Sequence, residues 1–284
     1  MISTERLTAI WSSVVSNDGA NISYFSMGSG PSVIVIPGAL SVAADYAEFA
    51  QELARNFAVH VIERRGRGLS SPQGDGYSMI KERDDVLALQ QHTGAAFLVG
   101  HSFGGLVALE SARSNPSLSK VAVYEPGVSI GGSIRTDWVP RYEQALAKRK
   151  FFDAFVEFSL GTGPDQVRDT PRWLMKLLLP LFIKADRRKR MLGLLTENLR
   201  EHREITRLDG RCESYQEIQA KVLLLYGGKT QSGWVTLAVK RLSTVLRHAE
   251  TKEFPELGHF GIDQKAPQEV ARTICAFFLE DSPL

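Results

Sequence analysis

The chain has 284 residues, 43% of them hydrophobic and 23% charged, a composition that suits a globular protein with one large core and room for a substantial insertion. A formal net charge of +2 gives no electrostatic reason to expect a nucleic-acid partner. The two cysteines, Cys212 and Cys275, lie far apart and lack metal-ligand spacing, so they read as thiols of a reducing compartment, and no metal is expected.

The opening residues, MISTERLTAI, contain no apolar core of signal-peptide length. Trp173–Ile183 is the most apolar long segment, but it is too short to span a bilayer and is interrupted by Lys176 and Pro180. A cytoplasmic protein without a membrane span is the expectation. Oligomeric state is not readable from this chain.

Taken in order, Trp11–Val15 and Ile22–Phe25 flank Asn17-Asp18-Gly19 and predict a β-hairpin. Ser32–Ile36, SVIVI, is a continuous β-branched run of the kind found in strands buried on both faces. It ends in Pro37-Gly38-Ala39-Leu40. Asp45–Arg55 predicts a helix with Tyr46, Phe49 and Leu53 on one side. Ala58–Ile62 is the next strand and leads into Glu63-Arg64-Arg65-Gly66-Arg67-Gly68-Leu69-Ser70. Residues 79–92 predict a helix with Val86 and Leu89 inward.

Ala96–Val99 is a further apolar strand. It is followed by Gly100-His101-Ser102-Phe103-Gly104-Gly105 and then by a helical run ending near Asn115-Pro116. Strand, Gly-x-Ser-x-Gly, helix is the context of a nucleophile elbow. Such a turn needs positive φ at Ser102 and small neighbours, which Gly100 and Gly104 supply, so that strand and helix can approach. Ser102 is therefore the candidate nucleophile.

Lys120–Tyr124 is a strand closing in Glu125-Pro126-Gly127. The rhythm then breaks: residues 129–219 carry no buried-strand signal, only helical, charge-rich stretches. Strands resume at Lys221–Tyr226 and Thr251–Phe254, with helices at 234–246 and 267–279. Alternating strands and helices imply an α/β fold with a mostly parallel sheet covered on both faces. The expected division is a core of residues 1–128 and 220–284, with an inserted helical cap at 129–219.

A serine needs a base. Of six histidines, His259 lies in the loop Glu256-Leu257-Gly258-His259-Phe260-Gly261 after the last strand, follows the serine in chain order, and is the candidate. His60 reads as packed in a strand, His92 and His202 lie on helices, His248 lies in a turn, and His101 points away from its neighbour Ser102.

With these residues in view the chain resembles the α/β-hydrolase superfamily from about residue 20 to residue 280, the cap excepted. The resemblance rests on Gly100–Gly105, the Glu63–Ser70 run, Gly258-His259 and Pro37-Gly38. The family usually has Asp at the Glu63 position and often His at the Pro37 position. The resemblance implies an oxyanion hole from the backbone N–H groups of Ala39 and Phe103. It implies no cofactor, and it makes the arginine-rich loop structural, with Arg65 as a brace. Phosphate binding by that loop is the alternative.

The family's acid usually stands three residues after the glycine that ends the penultimate strand. Here that position is Thr230, and Lys221–Ala249 contains no Asp or Glu. Some members take the acid from the end of the preceding strand, where Glu125 lies, so Glu125 is the expected triad acid, with Asp45 and Asp209 as substitutes.

In the cap, Phe151, Phe152, Phe155 and Phe158, and then Trp173, Leu174, Leu177, Leu178 and Leu181, recur at helical spacing. They are expected to pack the cap onto the body and to make a lipophilic small-molecule pocket. Lys184–Arg190 reads as a solvated helix face, or as a docking point for an acidic ligand. The expected activity is serine hydrolysis of an ester or lactone of an apolar small molecule. Thioester or carbon–carbon bond hydrolysis, cofactor-free lyase chemistry and non-catalytic ligand binding on the same fold remain alternatives.

Overall fold

A computed structural model describes residues 7–113, 115–230 and 232–280. Its eight strands are β1 (Ile10–Val15), β2 (Asn21–Met27), β3 (Ser32–Ile36), β4 (Ala58–Ile62), β5 (Phe97–His101), β6 (Lys120–Tyr124), β7 (Lys221–Gly227) and β8 (Ala249–Phe254). They form one sheet in the order β1-β2-β4-β3-β5-β6-β7-β8. The β1–β2 and β2–β4 pairings are antiparallel and the other five are parallel.

The helices are α1 (Ala47–Leu53), α2 (Met79–Thr93), α3 (Phe103–Ala112), α4 (Val139–Ala147), α5 (Phe151–Thr162), α6 (Arg172–Phe182), α7 (Ala185–Gly193), α8 (Leu195–Arg207), α9 (Gly233–Val245) and α10 (Pro267–Leu279). A 3₁₀ turn, Ala43–Tyr46, precedes α1, so the segment expected to be one helix from Asp45 is two short pieces. Strand β5 runs on to His101 and hands directly to the elbow.

The β-branched runs are buried on both sides, as a parallel sheet requires. Along β3, Ile34 and Ile36 join the core under α2, α3 and α9, while Val33 and Val35 join the core under α1 and α10. The same alternation divides β7, with Val222 and Leu224 on the first face and Leu223 and Leu225 on the second. Because β3, β5, β6, β7 and β8 are parallel, their C-terminal ends share one edge. The loops after Ile36, His101, Tyr124, Gly227 and Phe254 therefore converge there.

Helices α4–α8 intervene between β6 and β7. Trp138, Tyr142, Phe155, Leu160, Met175 and Leu179 build a third hydrophobic cluster, to which the body contributes Leu40. Farther along, Ile205, Leu208, Cys212 and Tyr215 belong to the body core instead. Helix α8 is tied down electrostatically as well: Glu201 is fully buried and accepts from Arg64 (2.9 Å) and Arg67 (2.6 Å), and Glu204 accepts from the Met79 N–H.

Two expectations change. On α6, Met175 and Leu179 face the cluster while Trp173, Leu177 and Leu181 are exposed, so that stripe does not pack the cap onto the body. Within the Lys184–Arg190 run, Arg187 and Arg190 are not simply solvated: Arg187 pairs with Asp263 and Arg190 with Asp45, both on the body.

Candidate active site

Ser102 sits between β5 and α3 at φ 52° and ψ −120°, a conformation that costs an L residue on the order of 1–3 kcal/mol. Its backbone is held from three sides. The N–H donates to the Tyr124 carbonyl (3.0 Å), and the carbonyl accepts from Gly105 (2.9 Å) and Gly127 (2.8 Å). The glycines are required by contact: a Cβ on Gly100 would strike the Gly104 carbonyl, and one on Gly104 would strike the Ile36 and Pro37 carbonyls. Leu40, Ser102, Glu125 and Arg149 are the non-glycine residues of positive φ among the described residues, and the first three stand on loops at this one edge.

Glu125 follows β6 with φ 45° and is fully buried. One carboxylate oxygen lies 2.6 Å from His259 Nδ1. The other accepts from the Gly227 N–H (2.9 Å) and the Thr230 hydroxyl (2.5 Å). A carboxylate that accepts at Nδ1 holds the proton there and leaves Nε2 as the basic nitrogen. The His259 side chain is 29% exposed, with Trp234 and Phe260 rings beside it. Its loop is cradled from below: Tyr124 donates to the Gly258 carbonyl (2.8 Å), and a Cβ on Gly261 would strike the Tyr124 hydroxyl.

Ser102 and His259 are brought to the same edge but share no hydrogen bond; the link between their loops runs through His101. Nε2 of His101 donates to the His259 carbonyl (2.9 Å). Since a carbonyl only accepts, Nδ1 of His101 is unprotonated and receives the Tyr46 hydroxyl (2.6 Å), and the Tyr46 oxygen accepts from the Gly38 N–H (3.0 Å). One buried chain thus joins the Pro37–Leu40 loop, the elbow and the His259 loop. Burial pushes the His101 imidazole well below its ordinary value, so it is neutral, as this chain requires.

Gly38 presses on the elbow, where a Cβ would come 3.3 Å from the Ser102 Cβ. The N–H groups of Ala39, on the loop after β3, and of Phe103, the first residue of α3, donate to none of the described residues. Arg64, buried beneath them, donates to the Gly38 carbonyl (3.3 Å) and stacks over the Phe103 ring at 4.5 Å. It is in turn held by Glu82 at 2.7 Å and by Glu201. Burial works to raise the Glu82 carboxyl, but the charge and hydrogen bond of Arg64, with the Arg67 charge and the Tyr77 hydroxyl, together outweigh it and hold Glu82 below its usual value.

Bracing is therefore shared within the arginine loop. Arg65 ties Asp85 and Asp18, and Arg64 and Arg67 tie the body to α8. Of the substitute acids, Asp45 is engaged by Arg190, and Asp209 accepts from the Gly132 N–H. No group of three or more His, Cys, Asp or Glu among the described residues is disposed to hold a metal. No helix among them is long and apolar enough to cross a membrane.

Residues 33–273 match the model of the alpha/beta hydrolase family. An N-formylmaleamate deformylase from Pseudomonas putida is 32% identical over 166 residues, which are 56% of this chain and 62% of that protein, less than two thirds of its length. An alpha/beta hydrolase from Sphaerobacter thermophilus superposes with a TM-score of 0.80 at 26% identity, covering 94% of this chain and 100% of that one. An enol-lactonase from Burkholderia xenovorans superposes with a TM-score of 0.73 at 19% identity, covering 95% and 100%, a likeness of fold.

Proposed function

From the premise that this chain belongs to the alpha/beta hydrolase family, we propose that it is a serine hydrolase acting through Ser102, His259 and Glu125. The observation that carries the reading is the Glu125–His259 contact at 2.6 Å, on the same sheet edge as a serine in a strained elbow. His259 Nε2 takes the Ser102 proton as Oγ attacks the substrate carbonyl. The electron pair displaced onto the carbonyl oxygen is received by the N–H groups of Ala39 and Phe103, an interaction typically worth several kcal/mol in such sites. Collapse expels the leaving group, which takes the proton back from His259. Water then repeats the sequence on the acyl-serine and releases the acid.

The substrate class is an ester or lactone of an apolar small molecule. In support, Trp234 and Phe260 flank His259, and Leu40, next to Ala39, joins the aromatic cluster of Trp138 and Phe158. Within residues 129–219, helices α4–α7 act as the cap over this edge. The same machinery serves thioester and carbon–carbon bond hydrolysis, which substrate screening separates. A non-catalytic binding protein is the competing class, and it has no use for a carboxylate-held imidazole on the same sheet edge as a serine in a strained elbow.

The test is labelling by a fluorophosphonate probe, together with turnover over p-nitrophenyl esters, lactones and thioesters. The wild-type chain is expected to label and turn over esters or lactones of apolar acids. Folded Ser102→Ala is expected to do neither. Undiminished labelling of that variant, or a wild-type chain inert to the probe, overturns the reading.

A further inference from the structure

Helix α6 carries apolar residues on two sides. Met175 and Leu179 are buried, whereas Trp173, Leu177, Leu181 and Phe182 are 66%, 62%, 78% and 78% exposed. The first three repeat four residues apart and form one line along the helix. Single exposed apolar residues are ordinary, but four large ones on one helix, including Trp and Phe, are a face without a partner.

The segment that carries that face is basic. Residues 171–190 hold seven Lys or Arg and a single acid, Asp186. Four of the cations are matched: Arg172 by Glu157, Lys176 by Asp153, Arg187 by Asp263 and Arg190 by Asp45. Lys184, Arg188 and Lys189, just beyond Phe182, have no acidic partner among the described residues. Arg188 instead donates to the Pro180 and Ile183 carbonyls, which holds its cation at the end of α6.

We propose that the α6–α7 face docks on a lipid bilayer that carries anionic headgroups. Trp173, Leu177, Leu181 and Phe182 would enter the headgroup–acyl boundary, and Lys184, Arg188 and Lys189 would meet the phosphates. An aromatic and aliphatic line beside a cluster of cations is the pattern of a helix lying in a membrane interface. A second copy of the chain suits the face less well, since a twofold contact sets two basic segments near each other and the cores of protein interfaces are depleted in charge. The adjoining helix α7 reaches the candidate site: Arg187 grips Asp263, four residues past His259, and its guanidinium lies 5.8 Å from the Phe260 ring centre. Docking is independent of the hydrolase reading, because it is measured without substrate.

The test is co-sedimentation of the full chain with vesicles of phosphatidylglycerol and phosphatidylcholine, and with phosphatidylcholine alone. Binding to the anionic vesicles is expected, weakening as salt is added and accompanied by a blue shift of tryptophan emission that Trp173→Phe abolishes. Leu177→Glu/Leu181→Glu, checked for fold by circular dichroism, is expected to lower the partition coefficient by about tenfold or more. Lys184→Gln and Lys189→Gln are each expected to lower it about fivefold. Equal binding by wild type and the double Glu variant overturns the proposal. So does absence of binding to the anionic vesicles, and so does a sedimentation equilibrium in which this face holds a dimer that the Glu variant splits.

Discussion

Thr230 donates its hydroxyl to Glu125, so the residue at the family's usual acid position supports the carboxylate proposed to take that acid's role. The other Glu125 oxygen faces His259, which makes the two positions neighbours within one hydrogen-bonded cluster rather than rival sites on separate strands. Glu125→Gln is expected to reduce turnover by a factor on the order of 10³–10⁴, because the amide leaves the imidazole without its anionic partner and favours the wrong tautomer. Thr230→Asp placed on Glu125→Ala is expected to recover about tenfold or more of that loss. Steady-state rates of the two variants check this. Full activity in Glu125→Gln removes the residue from the mechanism.

Tyr46 joins the Gly38 N–H to His101, and through it to the His259 carbonyl. Tyr46→Phe keeps the ring and deletes the link, leaving a backbone donor and an imidazole nitrogen unpaired in the interior. A stability loss of about 1–3 kcal/mol is expected for each buried group left without a partner. If the chain positions the two loops about Ser102, kcat falls about tenfold or more while KM changes little. Loss of stability with unchanged kcat would confine Tyr46 to a structural role.

Much of the scaffold is written in local patterns. SVIVI and KVAVY match β3 and β6 residue for residue, because a β-branched run between turn signals has one good use in a parallel sheet. The elbow is readable because strain at Ser102 demands glycine on both sides. What supports the site is not local. Tyr46, His101 and Arg64 act across separations of 8 to 158 residues through side chains that look ordinary in sequence. Helix α6 shows the other limit: its apolar residues lie on two sides, and periodicity finds the stripes without saying which one faces the protein.

His101 and His202 are buried, and burial holds both below the ordinary value of 6.5. Below about pH 6.5 the unfolded chain binds more protons at these positions than the folded chain does, so stability falls as pH drops through this range. Each contributes a slope of up to about 1.4 kcal/mol per pH unit, and none above it. Urea denaturation from about pH 7.5 to about pH 5 is expected to show the decline. His202→Phe, in an aromatic pocket with Trp138 and Phe158, is expected to flatten it by one histidine's share. An unchanged slope would mean that His202 titrates alike in both states.

Arg187 joins α7 to the turn that follows His259. Its guanidinium bonds Asp263 at 2.6 Å, with the arginine side chain 16% exposed and the carboxylate fully covered. Removing one partner of a buried pair strands the other, so Arg187→Met is expected to cost about 3–5 kcal/mol. In Arg187→Met/Asp263→Asn no charge is stranded, and the loss is expected to fall well short of the sum of the single losses. Helix α8 is pinned through Glu201 and Glu204, whereas the ion pairs of α7 to the body among the described residues are those of Arg187 and Arg190. If α7 gates the site, the double variant turns over bulky esters faster relative to small ones, because its roof opens more readily. An unchanged ratio in a folded variant would leave the clasp a stabilising contact and would rule out gating by α7.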